Sequence, residues 1–250
     1  MELDGKVALV TGASSGIGKC TAKILASEGV RLALVGRNLE RLNGAVNEIN
    51  EADGEAQAFS VDLRYGSQVD QLVDDVVSAF GRIDILINSA FWGPPGSIEE
   101  TNEDFWDRTL DSTLKSAFLC ARAVTPFMKK NGSGRIVNIG SIAGKVGEDN
   151  RTAYCAAKWG LEGLTAALSI ELAKYNIHIH LISPAATDTP FWRESGAILT
   201  PQVIERMIPP EVVGQTVRWV LTQPDQVNIV DVPIQNFRNP FEGKSSPFAS

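Results

Sequence analysis

Short runs of aliphatic residues alternate with longer stretches of helical periodicity along most of this chain. The runs are Lys6 to Thr11, Arg31 to Gly36, Ala56 to Asp62, Ile83 to Asn88, Gly134 to Gly140 and Ile177 to Ser183. Most are apolar at nearly every position rather than at every second one. That pattern marks strands buried on both faces, as in a parallel sheet. Amphipathic stretches lie between them, among them Leu39 to Glu51, Ser67 to Phe80 and Glu103 to Lys129. A further helix, Glu211 to Leu221, and a last strand, Val227 to Gln235, close the series. The alternation predicts an α/β fold, a doubly wound parallel sheet of the Rossmann type, with about seven strands and helices on both faces.

No repeat, low-complexity segment or interdomain linker interrupts the pattern, so residues 1–236 are expected to form a single domain. The rhythm breaks at residues 185–210, where four prolines fall. A long irregular segment in a compact domain is usually functional, so a lid over an active site is expected there. The tail, 237–250, is rich in Pro, Ser and Phe. It is expected to be extended, either disordered or packed on a neighbouring subunit.

Composition narrows the function. The net charge of −7 over 250 residues argues against a nucleic-acid or anionic-membrane surface. No apolar run reaches the roughly 18 residues of a membrane span. The chain enters a strand at once, without a basic and then apolar leader, so no signal peptide is expected. Three scattered cysteines, Cys20, Cys120 and Cys155, suit a reducing cytoplasm rather than a disulfide framework. His178 and His180 share a strand face but have no acidic or thiol partner nearby in sequence. No metal site is expected.

The first strand runs into "TGASSGIG", which sets Gly12, Gly16 and Gly18 in a strand-to-helix turn. Glycines let a backbone turn tightly and approach a pyrophosphate at the helix N-terminus. The hydroxyls of Ser14 and Ser15 and the backbone of Ile17 belong to the same turn. The second strand ends in Gly36-Arg37 with no acidic residue. An acid there binds a ribose 2′-hydroxyl, whereas an arginine accommodates a 2′-phosphate, so NADP(H) is expected ahead of NAD(H). Asp62, followed by Leu63, closes the third strand and is placed to bond an adenine amino group.

Tyr154 and Lys158 stand four apart on a predicted helix and share a face. Ser141 ends the fifth strand, thirteen residues before Tyr154. With "TGASSGIG", the Asp62-Leu63 pair, "YCAAK" and "PAATDT" (Pro184 to Thr189), the chain resembles the short-chain dehydrogenase/reductase family from about Leu3 to Gln235. The resemblance implies hydride transfer between a nicotinamide cofactor and a small carbonyl or alcohol substrate, in a homodimer or homotetramer. Tyr154 would then be the general acid and base, with its phenol lowered by Lys158. Lys158 would also hold the nicotinamide ribose, and Ser141 the substrate oxygen. Pro184, Thr187 and Thr189 would hold the carboxamide side, while Asn88, Ser89 and Ala90 would line the adenine–ribose side.

Two departures from the family pattern stand out. Its fourth catalytic residue, an asparagine, is Thr113 here, and the glycine after Ala90 is Phe91. Phe91 must either point into the substrate cleft or push the backbone. Phe91 and Trp92, with Phe191 and Trp192 of the lid, are candidates for an aromatic substrate cleft or for core filling on closure. Two rival readings follow. One is a cofactor-binding sensor or scaffold with weakened catalysis. The other is an epimerase or dehydratase working through a transient keto intermediate.

Overall fold

The computed structural model describes residues 1–242. Among them, β1 (Val7–Thr11), β2 (Arg31–Gly36), β3 (Glu55–Ser60), β4 (Ile85–Asn88), β5 (Gly134–Ile139), β6 (Ile177–Pro184) and β7 (Asp231–Ile234) form one sheet. Its order is β3-β2-β1-β4-β5-β6-β7, with every neighbouring pair parallel. The seven-stranded, doubly wound sheet expected from the apolar runs is therefore present.

Alternate residues of β1 point to opposite faces, as the strand period of two requires. Ala8 and Val10 join a core with Leu25, Leu42 and Val217. These come from α1 (Gly16–Ala26), α2 (Leu39–Asn50) and α9 (Pro210–Leu221). Val7 and Leu9 pack on the other face with Val73, Val76 and Val124, from α3 (Gly66–Phe80) and α5 (Ser116–Asn131). Each buried Val or Leu contributes about 1.5–3 kcal/mol relative to exposure. The central strands β1, β4 and β5 are buried throughout, but the edge strands β3 and β7 alternate between covered and exposed positions. One face of each edge strand meets solvent, so the apolar run gives way to period two.

Several boundaries differ from expectation. β3 stops at Ser60, so Asp62 lies in the loop beyond it. The last strand is only Asp231–Ile234. It tolerates Pro233 because an edge strand needs fewer N–H donors. The single helix expected over Glu103 to Lys129 is α4 (Glu103–Leu110), a π-helical turn at Asp111–Lys115, and then α5. The region 185–210 is not a bare loop. It holds α7 (Pro190–Glu194) and α8 (Pro201–Arg206). Pro190, Pro201 and Pro210 each open a helix, where the missing N–H costs nothing.

Part of the described tail touches its own chain, while Phe237 is exposed. Phe241 lies 5.2 Å from Trp192, centroid to centroid, and Arg206 pairs with Glu242. Residues 243–250 lie outside the described region. No helix among the described residues is long and apolar enough to cross a membrane.

Candidate active site

The C-terminal ends of β1, β4, β5 and β6 open onto a cavity of about 1150 Å³. A drug-sized ligand occupies roughly 300–1,000 Å³, so this cavity has room for two ligands side by side. Every candidate catalytic, cofactor or substrate residue named from the sequence lines it except Asn88 and Thr113.

One end is the glycine turn. Gly12 has φ +66, and a Cβ there would stand 2.9 Å from the Ala90 and Ser89 backbones. The turn thus packs directly against the end of β4. Thr11 pins that contact, since the Ser89 and Ala90 N–H groups both donate to Thr11 Oγ1, at 3.0 and 3.1 Å. α1 begins at Gly16 with no side-chain cap from Ser15 and no acidic residue in its first turn. Its free N–H groups and positive dipole end therefore face the cavity, a fit for a pyrophosphate. Arg37 is exposed at the rim. Asp62 is bound side-on by Arg64, whose Nη2 lies 2.6 Å from Asp62 Oδ2. That hydrogen bonding lowers the Asp62 carboxyl below its ordinary value.

The other end carries Ser141, Tyr154 and Lys158. Ser141 follows β5, and its Oγ accepts from the Ala143 N–H. Tyr154 and Lys158 lie on α6 (Thr152–Leu172). A buried polar chain seats this helix. Asn88 Nδ2 donates to Asn138 Oδ1, Asn138 Nδ2 to Thr165 Oγ1, and Thr165 Oγ1 to the Leu161 carbonyl, at 2.9, 2.8 and 2.7 Å. The Asn88 side chain faces this polar chain and not the cavity. Thr113 is likewise turned inward. Its hydroxyl donates to the Trp92 carbonyl at 3.3 Å and receives the Trp92 N–H at 3.4 Å. The Thr113 hydroxyl therefore holds the Phe91-Trp92 segment.

Phe91 points into the cavity, and the backbone before it stays pinned by Thr11. Its ring lies 5.1 Å from Phe191 and 6.0 Å from Tyr154, with Lys158 Nζ 5.5 Å from its centroid. Trp192 is anchored, since its Nε1 donates to the Thr187 carbonyl at 2.8 Å. This bond ties α7 to the segment just after β6.

Electrostatics bring in a residue the sequence reading missed. The guanidinium of Arg151 lies 4.1 Å from the Tyr154 ring centroid. Burial raises the Tyr154 phenol above its ordinary value, while Arg151 and a hydrogen bond with Ser141 pull it down. Lys158 is buried, with Nζ donating to the Ile139 carbonyl at 2.7 Å. Burial and then Arg151 lower its pKa from 10.5 to about 7. Lys158 Nζ lies 5.6 Å from the Tyr154 ring centroid, and Arg151 is a second cation beside the phenol. The clue was in "RTAYCAAK", where an arginine precedes the tyrosine by one helical turn.

A stability prediction follows from Lys158. Its folded-state pKa lies below its unfolded one. Between about pH 7 and 10.5 the unfolded chain therefore holds a proton the folded chain lacks, and stability rises with pH across that window. Lys158→Met should abolish that rise. It should also raise the Tm at pH 7 by several degrees, at about 2–4 °C per kcal/mol. Scanning calorimetry across the window checks this, and parallel pH profiles for the two proteins would contradict it.

Comparison with known proteins supplies the family context. Residues 6–198 match the family model described as short chain dehydrogenase. A 3beta-hydroxysteroid dehydrogenase of Mediterraneibacter gnavus is 36% identical over 81% of this chain and 73% of its own. Among solved structures, a metagenomic short-chain oxidoreductase in complex with NADP is 32% identical, with a TM-score of 0.82 over 95% of this chain and 100% of its own. A 7 alpha-hydroxysteroid dehydrogenase complexed with NADH and 7-oxo glycochenodeoxycholic acid is 28% identical, with a TM-score of 0.88 over 96% of both chains.

Proposed function

We propose that this chain, which belongs to the short chain dehydrogenase family, interconverts a carbonyl compound and its alcohol with NADP(H) as redox partner. The observation that carries the reading is one cavity joining two parts. At one end is an uncapped helix N-terminus behind a glycine turn, and at the other are Ser141, Tyr154 and Lys158. When bound, the nicotinamide supplies a hydride in reduction and takes one up in oxidation. In reduction Tyr154 gives its phenol proton to the carbonyl oxygen, and Ser141 donates a hydrogen bond to the same oxygen as charge develops there. The raised phenol pKa keeps that proton in place at neutral pH. Lys158, with a pKa near neutrality, returns a proton to Tyr154.

The glycine turn and the α1 N-terminus would hold the pyrophosphate, and Asp62 the adenine. Lys158 would bind the nicotinamide ribose, and Thr187 and Thr189 the carboxamide. The solved relatives named above bind NADP in one case and NADH in the other, so the choice rests on this chain's own residues. β2 ends in Gly36, with exposed Arg37 following and no acidic residue next to it in sequence. A charge-assisted bond of the kind Arg37 offers a 2′-phosphate is worth about 1.5–3 kcal/mol. Arg37→Ala should therefore raise KM for NADPH by about 10–100-fold and change KM for NADH by less than about threefold. Equal effects on both cofactors would remove this basis for the NADP preference.

Exposed Phe118 on α5 and Trp159 and Ile170 on α6 fit association of copies of the chain. The function is tested by following loss of reduced nicotinamide with a panel of aldehydes and ketones. One observation favours the sensor alternative, namely that the Thr113 hydroxyl is engaged by Trp92 and does not face the cavity. Protein that binds NADPH tightly but reduces nothing in the panel would support that alternative.

A further inference from the structure

We propose that Arg151 is the substrate-binding residue for a carboxylate, and that the carbonyl substrates are oxo acids with a flat apolar body. This deepens the redox reading above and rests on it.

Arg151 is 7% exposed and lines the cavity beside Tyr154. Its Nε and Nη1 are buried and have no hydrogen-bond partner. Glu148 Oε2 lies 3.9 Å from Nε, too far for a hydrogen bond. The Glu148 side chain is 43% exposed and makes no hydrogen bond of its own, so an incoming anion displaces it readily. The guanidinium instead rests against rings, 4.1 Å from the Tyr154 centroid and 5.4 Å from that of Phe191.

A guanidinium does not deprotonate to escape burial, so its charge and its idle donors must be met from the cavity. Its planar fork matches a carboxylate, which accepts two parallel hydrogen bonds. The cofactor's phosphates have their own partners at the opposite end, the α1 N-terminus and Arg37. Contact with the Tyr154 ring places Arg151 close to the proton donor, so the carboxylate and the reacting carbonyl are joined by a short spacer. The tilted rings of Phe91 and Phe191, 5.1 Å apart, offer walls for a flat apolar group.

The test compares phenylglyoxylate, benzoylacetate and benzoylpropionate with their methyl esters, in turnover with NADPH and in calorimetric binding to protein saturated with NADP+. The wild type should favour at least one acid over its ester by about 100-fold or more in kcat/KM, because a site built for a polar group rejects the analogue lacking it. In Arg151→Met the acid-to-ester ratio should fall to roughly one, and in Arg151→Lys to an intermediate value, because Lys keeps the charge but loses the fork. NADPH binding by both variants checks their folding. The proposal is overturned if the wild type favours no acid in turnover or binding. It is overturned too if Arg151→Met lowers acid and ester equally, since Arg151 would then act only on Tyr154. Competition between acid and NADP+ would also overturn it, by assigning Arg151 to the cofactor. Reduction of esters and acids alike removes this inference and leaves the redox reading intact. Arg151-dependent acid binding without any turnover removes the redox reading and leaves this one.

Discussion

Tyr154→Phe is expected to lower kcat by roughly 10²–10⁴-fold, the usual worth of a placed general acid, with NADPH affinity changed by less than about threefold. The substitution removes one oxygen and keeps the ring. The contacts with Arg151 at 4.1 Å and Phe91 at 6.0 Å persist, so the cavity keeps its shape. The cofactor's phosphates are held at the far end, by groups the change does not touch. Steady-state kinetics and a fluorescence titration with NADPH separate the two effects. A variant within about threefold of wild-type kcat would sink the role given to the phenol.

Gly12→Ala should be a damaging small substitution at the glycine turn. Gly12 has φ +66, which costs an L-residue about 1–2 kcal/mol. Its added Cβ would meet Ala90 Cα and N and Ser89 O at 2.9 Å, all backbone atoms pinned by Thr11. Overpacking against such atoms costs about 1–3 kcal/mol more. Together these lower the Tm by roughly 5–15 °C for a chain of this size. The same shift moves the turn away from β4, so NADPH affinity should fall at least about tenfold. Gly44→Ala is the control. It lies in α2 with nothing within 4 Å of its would-be Cβ, and Ala is the better helix former by about 1 kcal/mol. Similar Tm changes in the two variants would contradict the packing argument.

The central strands were legible because burial on both faces erases alternation, as Val7–Thr11 and Ile85–Asn88 show. The edges were less so. Val227 to Gln235 is apolar enough to suggest a long strand, yet pairing begins only at Asp231. Ahead of it, the Ile229 carbonyl is taken by the His180 ring and the Val230 carbonyl by the Leu181 N–H. Prolines in 185–210 suggested a loop, but Pro190, Pro201 and Pro210 occupy helix starts. Pattern alone does not distinguish a proline that ends structure from one that begins it.

At the site, residue type and spacing pointed to stretches that line the cavity, but not to the direction of each side chain there. Asn88 and Thr113 sit next to the cavity, and both side chains turn into the protein. That depends on their partners Asn138 and Trp92, which lie distant in sequence. Arg151 was overlooked because an arginine near a helix start is ordinarily a solvated residue. Only the packing of Phe191 and Tyr154 around it shows a buried charge. Phe91 is a ring where the family resemblance implies glycine. The pinned backbone before it shows how the ring is accommodated, by entering the cavity.

The central claim is that this cavity moves a hydride to a carbonyl carbon and the Tyr154 proton to its oxygen. The direct measurement uses NADPH deuterated at the nicotinamide C4 position that is transferred. It is incubated with an aryl ketone or oxo acid, and the product is read by mass spectrometry. The account predicts an alcohol carrying one deuterium on the carbinol carbon with wild-type protein. It predicts only background labelling with Tyr154→Phe, which still binds the cofactor. Equal labelling by the two proteins, or wild-type protein that binds NADPH and labels no carbonyl offered, would contradict it.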